Sequence, residues 1–249
     1  MRFLLAFFCL LTVSFSAMAQ PGIRMTGDGL NLTNTATASG QIRQVDGVHG
    51  FDTYRKQLLG SPYEDSTFQA GNIRFYKPLP GSNSDSIMNV PIRYELQAHQ
   101  LEILAGPNSI KVARTPQVRQ FTISNKALNT ISYYVNVREF RGETEQLDGF
   151  FDVITTGKAM LLRYPLVTVS KGNYNVALSV GSKDDELVVK QEWYAAVNKK
   201  VVAFTPGKRA VLALFPEKEA EMTAFLKQKK PDLKTRSGLA SVFDYYNSL

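Results

Sequence analysis

Apolar and polar residues alternate with a period of two along the middle of the chain. The pattern is clear in "NIRFY", "VPIRYEL", "ISYYVNV" and "KVVAF". Such alternation places every second side chain on one face of a strand. Short turn-forming segments separate the runs, and Asn198-Lys199 stands at two-residue hairpin spacing between "EWYAAV" and "KVVAF". No long helical pattern intervenes, so the sequence predicts an antiparallel β domain over residues 49–204 with one buried face.

After residue 204 the apolar period changes to 3.6, which predicts three short helices over residues 205–249. Thr205-Pro206 has the composition of a helix start. The last helix carries an apolar stripe formed by Leu239, Val242, Phe243 and Tyr246. Helices this short are not stable alone in water, so we expect them to pack on one another or on the sheet. The predicted fold class is α+β: an antiparallel β meander, either a twisted sheet or a partly rolled barrel, followed by a C-terminal helical unit.

The N-terminus has the features of an export signal over residues 1–19. A basic Arg2 precedes a short apolar run, and the small-x-small pattern ending at Ala19 predicts a mature chain that begins at Gln20. The alternative is a buried first helix or a membrane anchor. Residues 20–48 are rich in Thr, Gly, Asn and Ser, which indicates a flexible leader. We therefore expect an exported protein that is periplasmic, outer-membrane-associated or secreted, with no transmembrane segment after signal removal.

The segment that follows the leader is expected to lead into the sheet. "FDTYRKQLLG" predicts one or two helical turns that end at Gly60, and "SPYED" has turn chemistry. Tyr63 and Phe68 are then the expected anchors of this segment against the sheet. The lone Cys9 lies in the middle of the apolar run of the signal, where a lipoprotein cysteine does not stand.

Several of these motifs together resemble a family of uncharacterised exported proteins from Bacteroidota-type bacteria. The resemblance lies in "GSPY" followed by Phe68 and Gly71, in "VPIRYEL", in "GFFDVITTGKAMLL" and in the closing "YYNSL". It implies an exported, β-rich domain of unknown function. It implies no activity, and so no functional residues are transferred from it.

The residues carry no recognisable catalytic signature. His49 follows the leader and His99 stands at a predicted hairpin tip, and we expect both to be solvated loop residues. Nucleophile-elbow, zinc-protease, phosphate-loop and dinucleotide motifs do not occur. The densest carboxylate run, Asp184-Asp185-Glu186, follows Gly181-Ser182 and is interpreted as a solvated turn, with a weak calcium contact as the alternative. We expect no cofactor.

Adjacent aromatic pairs such as Phe150-Phe151 and Trp193-Tyr194 must point to opposite faces of a strand. One member of each pair is expected in the core. The other is expected on the outer face, either packed across strands or available to a ligand.

Positive charge is concentrated near the C-terminus. The chain has a formal net charge of +7, and residues 190–236 hold 11 Lys and Arg against 5 Asp and Glu. A candidate basic surface is formed by Lys199, Lys200, Lys208, Arg209, Lys227, Lys229, Lys230, Lys234 and Arg236. For an exported protein the available partners are anionic envelope components or another envelope protein, and not nucleic acid. The alternative is a solubilising helical surface.

Taken together, these features favour a non-enzymatic envelope protein that binds or scaffolds. A carrier of a small apolar ligand inside a rolled sheet is the second hypothesis, and a hydrolase is the third. A cavity in the sheet would favour the carrier, and a buried carboxylate pair or a polar cleft would favour the enzyme. A filled core would favour the binding module.

Overall fold

The computed structural model describes residues 56–144, 146–197 and 199–249. The predicted signal peptide, its cleavage site, the leader and His49 lie outside this range. The described chain contains twelve strands, three α-helices and two single 3-10 turns, at Val137–Glu139 and Pro216–Lys218. The strands are β1 Leu58–Gly60, β2 Gln69–Phe75, β3 Ser86–Glu95, β4 Gln100–Gly106, β5 Ser109–Arg114, β6 Val118–Asn125, β7 Thr130–Asn136, β8 Arg141–Gly142, β9 Phe150–Thr155, β10 Ala159–Ser170, β11 Asp185–Val197 and β12 Lys200–Phe204. The helices are α1 Lys208–Leu214, α2 Glu219–Lys229 and α3 Arg236–Ser248.

The strands form one sheet in the order β5-β4-β3-β2-β6-β7-β9-β10-β11-β12-β8, and β1 pairs with β11. Two pairings are parallel, β1 with β11 and β8 with β12, and the others are antiparallel. The predicted α+β class and the three C-terminal helices are confirmed. The sheet is not a simple meander, because β2 lies between β3 and β6.

The first half of the sheet is rolled, and the connection from β5 to β6 shows why. Three strands separate β5 from β6 in the sheet, yet only residues 115–117 join them. In a flat sheet the two strands would be about 19 Å apart, whereas four Cα steps span at most roughly 14 Å. The sheet must therefore curl, and its concave side is filled by Tyr94, Phe121, Tyr134 and Phe150, all of them buried. We call β2–β6 the roll.

The middle strands are buried on both faces, contrary to the single buried face that the alternation predicts. Trp193 packs in an apolar cluster with Phe215 and Phe243. Its neighbour Tyr194 packs on the opposite face with Phe151. Alternation is compatible with two buried faces here, because one face is covered by the helices while the other carries a second aromatic cluster.

The C-terminal helices cover one face of β9–β12, as their apolar stripes predict. Leu239, Val242 and Phe243 of α3 are fully buried, and Tyr246 stacks on Phe215 with ring centroids 4.0 Å apart. The Thr235 hydroxyl caps α3 by accepting a hydrogen bond from the Gly238 amide. Among the described residues, no helix has the length and apolarity needed to span a membrane.

Two local predictions are wrong. Helix α1 begins at Lys208 and not at Thr205-Pro206, because its first backbone hydrogen bond runs from the Val211 amide to the Gly207 carbonyl, and Gly207 is the N-cap. Residues Leu58–Gly60 form a parallel strand on β11 instead of ending a helix. The reason is that residues of the β10–β11 hairpin bind Gln57: its amide donates to Asp184 Oδ1 at 2.7 Å, and its carbonyl accepts from the Asp185 amide at 3.0 Å.

We expect Phe243→Ala to lower the free energy of unfolding by about 3–5 kcal/mol, because it opens a cavity between α3 and the sheet. Chemical denaturation measures this loss. The exposed neighbour provides the control, since Asp244→Ala should change stability by less than about 0.5 kcal/mol. Equal effects of the two substitutions would contradict the docking of α3 as described.

Candidate functional site

The opening segment "GSPYEDSTF" folds against the outside of the roll. The Arg93 guanidinium lies between the rings of Tyr63 and Phe68, with its carbon 4.1 and 4.4 Å from their centroids. Arg93 also pairs with Glu102, and the Tyr63 hydroxyl donates to the same carboxylate at 3.0 Å. Tyr63 and Phe68 are therefore anchors, as predicted, and they bring Glu64 to the sheet.

Four charged side chains meet where the opening segment, the sheet and the helices come together. We call Glu64, Asp152, Arg163 and Arg236 the ionic cluster. Arg163 Nε and Nη2 donate to Asp152 Oδ2 at 3.0 and 2.8 Å, and Nη2 also donates to Glu64. Arg236 Nη1, from the first residue of α3, donates to the same Asp152 oxygen at 3.1 Å. The Tyr134 hydroxyl donates to Glu64 Oε2 at 2.9 Å.

The electrostatics of the ionic cluster follow from its burial. Burial raises the pKa of Asp152, while Arg163 and Arg236 oppose that change. Burial also acts to lower the pKa of Arg163, but the carboxylates of Glu64 and Asp152 outweigh it and raise the pKa above its usual value. Asp152 Oδ1 is buried and makes no hydrogen bond within the described chain.

A buried carboxylate pair would favour an enzyme; here Glu64 and Asp152 lie close together, but only Asp152 is fully buried and Glu64 is partly exposed. Two guanidinium groups neutralise these carboxylates. Neither of the cavities described below is lined by these residues. The ionic cluster is therefore best explained as a structural link between the parts of the fold.

His99 stands at the β3–β4 hairpin tip, as predicted, but it is not solvated. It is half-buried, with Nδ1 3.1 Å from the Tyr94 hydroxyl and Nε2 3.3 Å from the Tyr164 hydroxyl. The Tyr164 hydroxyl donates its proton to the Asp148 carbonyl at 2.6 Å, so its oxygen is left to accept a hydrogen bond from His99 Nε2–H. The other ring nitrogen, His99 Nδ1, then accepts from the Tyr94 hydroxyl. A neutral imidazole satisfies both contacts.

The backbone beside His99 leaves no space for another side chain. Gly149 has a φ of +97°, and a Cβ atom there would lie 2.6 Å from His99 Nδ1. Burial lowers the pKa of His99, against the opposing effect of the carboxylates of Asp148 and Glu95. The earlier interpretation of His99 as a loop residue in water is therefore wrong.

The residues of the candidate basic surface lie on several elements of the described chain. Lys199 and Lys200 are at the β11–β12 turn, Lys208 and Arg209 begin α1, and Lys227, Lys229, Lys230 and Lys234 surround the end of α2. Arg236 belongs to the ionic cluster. The end of α2 carries its lysines in the last turn, where they favour the helix dipole.

Two residues of the acidic run, Asp185 and Glu186, begin strand β11, and Asp184 precedes the strand. The run is therefore only partly in a turn. Asp185 pairs with Lys56 at 2.6 Å and Lys171 at 3.0 Å, and it accepts a hydrogen bond from the Gly172 amide. These contacts lower the pKa of Asp185, with Lys56 as the largest contribution. Within the described ranges, no group of His, Cys, Asp and Glu side chains is arranged to hold a metal ion.

Two cavities are associated with the helical unit. The larger, about 620 Å³, lies between α2 and α3, and its lining includes Lys229, Asp232 and Asp244, which carry both signs of charge. The smaller, about 370 Å³, lies between the β11–β12 hairpin and α1, and it is lined by Ala195, Val197, Lys200, Val202 and Leu214. We call the smaller one the hairpin groove.

The β10–β11 hairpin extends well beyond the strands beside it. Strand β9 pairs only with Leu161–Arg163, and β12 pairs only with Trp193–Val197. Residues 166–190, which we call the arm, therefore pair with one another and with β1 in the described chain. Sequence analysis did not identify the arm, because its alternation resembles that of every other strand.

The tip of the arm presents aliphatic side chains on a well-formed turn. Val176, Leu178 and Val180 are 81%, 69% and 56% exposed. The Asn175 side chain accepts hydrogen bonds from the amides of Ala177 and Leu178 at 3.0 and 3.2 Å, and Asn173 accepts one from Ser182. The turn is thus held by its own polar groups and does not depend on the burial of its aliphatic residues.

One face of the arm extends this apolar surface towards β1. Val169 pairs with Leu187 and Val167 pairs with Val189, so the four side chains share a face. Leu58 of β1 lies in the next row of the same face, opposite Asp185. Val169, Val189 and Leu58 are each about half exposed. An exposed apolar face combined with an apolar tip is typical of an interaction site.

Comparison of the chain with known protein families, with curated proteins and with solved structures finds no match.

We expect Arg163→Met to lower the free energy of unfolding by about 3–5 kcal/mol at neutral pH, because Glu64 and Asp152 lose the cation between them. Burial raises the pKa of Asp152, and without Arg163 to oppose it the folded variant binds more protons than the unfolded chain, so stability recovers as the pH falls. Denaturation across the acid range measures both effects.

Arg119→Met is the matched control for that substitution. Arg119 pairs with Glu139 at 3.1 Å near the surface, so its loss should cost less than about 1 kcal/mol with little pH dependence. Comparable small losses for both arginines would contradict the structural role of the ionic cluster.

We expect the wild-type protein to lose stability relative to His99→Gln as the pH falls below 6.5, the ordinary pKa of histidine. Because burial lowers the pKa of His99 in the folded state, the unfolded chain takes up the proton first, and acidification favours unfolding. Urea unfolding of both proteins at several pH values measures the difference. Parallel stability curves would show that His99 is as solvated as the sequence suggests.

Proposed function

We propose that the protein is an exported envelope protein that binds a second envelope protein through its arm. The observation that carries the proposal is the tip at Val176, Leu178 and Val180, which a hydrogen-bonded turn holds in solvent on a projecting hairpin. Exposed aliphatic residues contribute nothing to the stability of the isolated fold, so their arrangement is best explained by a partner. Export, and membership of the exported β-rich family that the motifs resemble, are parts of this proposal.

The chemistry of the arm favours a protein partner with an uncharged apolar surface. Three lysines in the arm, Lys171, Lys183 and Lys190, are balanced by Asp184, Asp185 and Glu186. The arm therefore provides no net electrostatic attraction to an anionic lipid surface or an acidic glycan. Binding through the arm should depend on apolar burial and change little with salt concentration.

The competing functions have less support. The interior of the roll is filled by aromatic side chains, with Phe121 stacked on Tyr134 at 4.5 Å, which argues against a carrier that holds its ligand there. The buried Asp152 and the partly exposed Glu64 are neutralised by arginine and line neither described cavity, which argues against a hydrolase at that position.

Site-specific photo-crosslinking in intact envelopes tests the proposal. A photoreactive residue at position 176 should form an adduct with one protein, on a chain that begins at Gln20. The control position is 131, because Ile131 is 72% exposed on the β6–β7 hairpin and should give no such adduct. Equal adducts at both positions, no adduct at 176, or adducts with lipid alone would contradict the proposal.

The partner identified in this way is then purified and its affinity is measured. Val176→Ser with Leu178→Ser should weaken binding by roughly tenfold or more, since each removes an aliphatic contact of about 1–2 kcal/mol. Leu128→Ser with Ile131→Ser alters an equally exposed pair and should leave binding unchanged. A strong decrease of affinity with salt would show that charge, and not the apolar tip, governs binding.

A further inference from the structure

The hairpin groove combines an aliphatic floor with a cation at one end. Val197 is directly opposite Lys200 in the β11–β12 ladder, and Ala195 is directly opposite Val202. Paired residues share a face of the sheet, so these side chains form two adjacent rows on the face that the helices cover. Leu214 of α1 closes the groove on the helical side.

The groove is open although the rest of this face is covered. Val197 and Val202 are each 37% exposed. Trp193, which precedes Val197 on the same face of β11, is 5% exposed and packs against the helices. The covering helix α1 reaches the groove with Leu214 but does not fill it. An aliphatic surface of this kind would be stabilised by an apolar ligand.

A second cation lies beside Lys200. Arg141 of β8 is in register with Lys200 in the parallel β8–β12 pair, so both residues project from the same face of the sheet edge. The nearest described carboxylate along β8 is Glu143, whose Oε2 accepts a hydrogen bond from the Ala203 amide at 2.9 Å. Glu143 is thus engaged by the edge of β12, while Lys200 lines the groove and Arg141 is paired with it across the sheet edge.

We propose that the hairpin groove binds a single-chain alkyl carboxylate, such as a fatty acid. The alkyl chain lies on Val197, Val202 and Leu214, and the carboxylate meets Lys200 and Arg141. A guanidinium and an ammonium are suitable partners for a carboxylate, and arginine can bind it through two parallel hydrogen bonds. The volume of about 370 Å³ is at the lower end of the range of roughly 300–1,000 Å³ for ligand pockets, which favours one chain over a two-chain phospholipid.

This site is independent of the arm. The groove lies at the opposite end of β11 from the arm, since Val197 is the last residue of that strand and the arm includes its first residues. Binding at the groove and binding through the arm can therefore be tested, and can fail, separately.

Isothermal titration calorimetry with laurate, below its micelle concentration, tests the proposal on the full mature chain. Three related probes separate the contributions: dodecanol has the chain without the charge, dodecylamine reverses the charge, and acetate has the charge without the chain. We expect saturable binding of one laurate, weaker binding of dodecanol, and no measurable binding of dodecylamine or acetate.

Two substitutions place the ligand in the groove. Lys200→Gln should weaken laurate binding by roughly tenfold or more, because it removes a charge-assisted contact, and should leave dodecanol binding unchanged. Val202→Asn should weaken both ligands. Lys190→Gln, on the same strand but within the arm, is the control and should change neither. Melting curves of all variants confirm that each is folded.

The outcomes that overturn the proposal are distinct. Equal affinities for laurate and dodecanol would show apolar adsorption without carboxylate recognition. Unchanged laurate binding in Lys200→Gln would place the ligand elsewhere. The absence of saturable binding up to the micelle concentration would exclude a single-chain carboxylate as the ligand.

Discussion

The pairing of Arg163 with Asp152 is the interaction on which the arrangement of the fold depends. These residues are directly opposite each other on β10 and β9, in a row that continues to Tyr134 on one side and Trp193 on the other. Tyr134 belongs to the apolar cluster of the roll, and Trp193 belongs to the cluster under the helices. The charged pair therefore lies at the boundary between the two clusters.

This position constrains both flanking parts of the chain. A buried carboxylate must be paired, and Asp152 obtains its second cation only when α3 brings Arg236 to it. Arg163 in turn needs a second carboxylate, which the opening segment supplies through Glu64. Docking of the helices and folding of the opening segment are thus coupled through a single row of the sheet. The tip of the arm and the hairpin groove lie outside this row.

The sequence predicts the local elements well because their signals are local. Alternation locates the strands, and the stripe at Leu239, Val242 and Phe243 correctly predicts the buried face of α3. The ionic cluster could not be predicted in this way, since Glu64 and Arg163 are 99 positions apart and nothing near either residue indicates the other. The burial of His99 depends on Tyr164 from a distant strand for the same reason. The register of long-range strand pairs decides both features, and one sequence carries no signal for it.

We propose that the tip of the arm serves binding and not folding. Replacing residues 174–181 with a short Asn-Gly turn tests it most directly, because this change removes the aliphatic tip while Asp185 and its contacts to Lys56, Lys171 and Gly172 remain. Thermal unfolding of the shortened and full-length proteins is the measurement. We expect the same melting temperature within about 2 °C, since every removed side chain except the partly buried Tyr174 is exposed in the folded state. A substantially lower melting temperature would show that the tip stabilises the fold, and would contradict its assignment as a docking element.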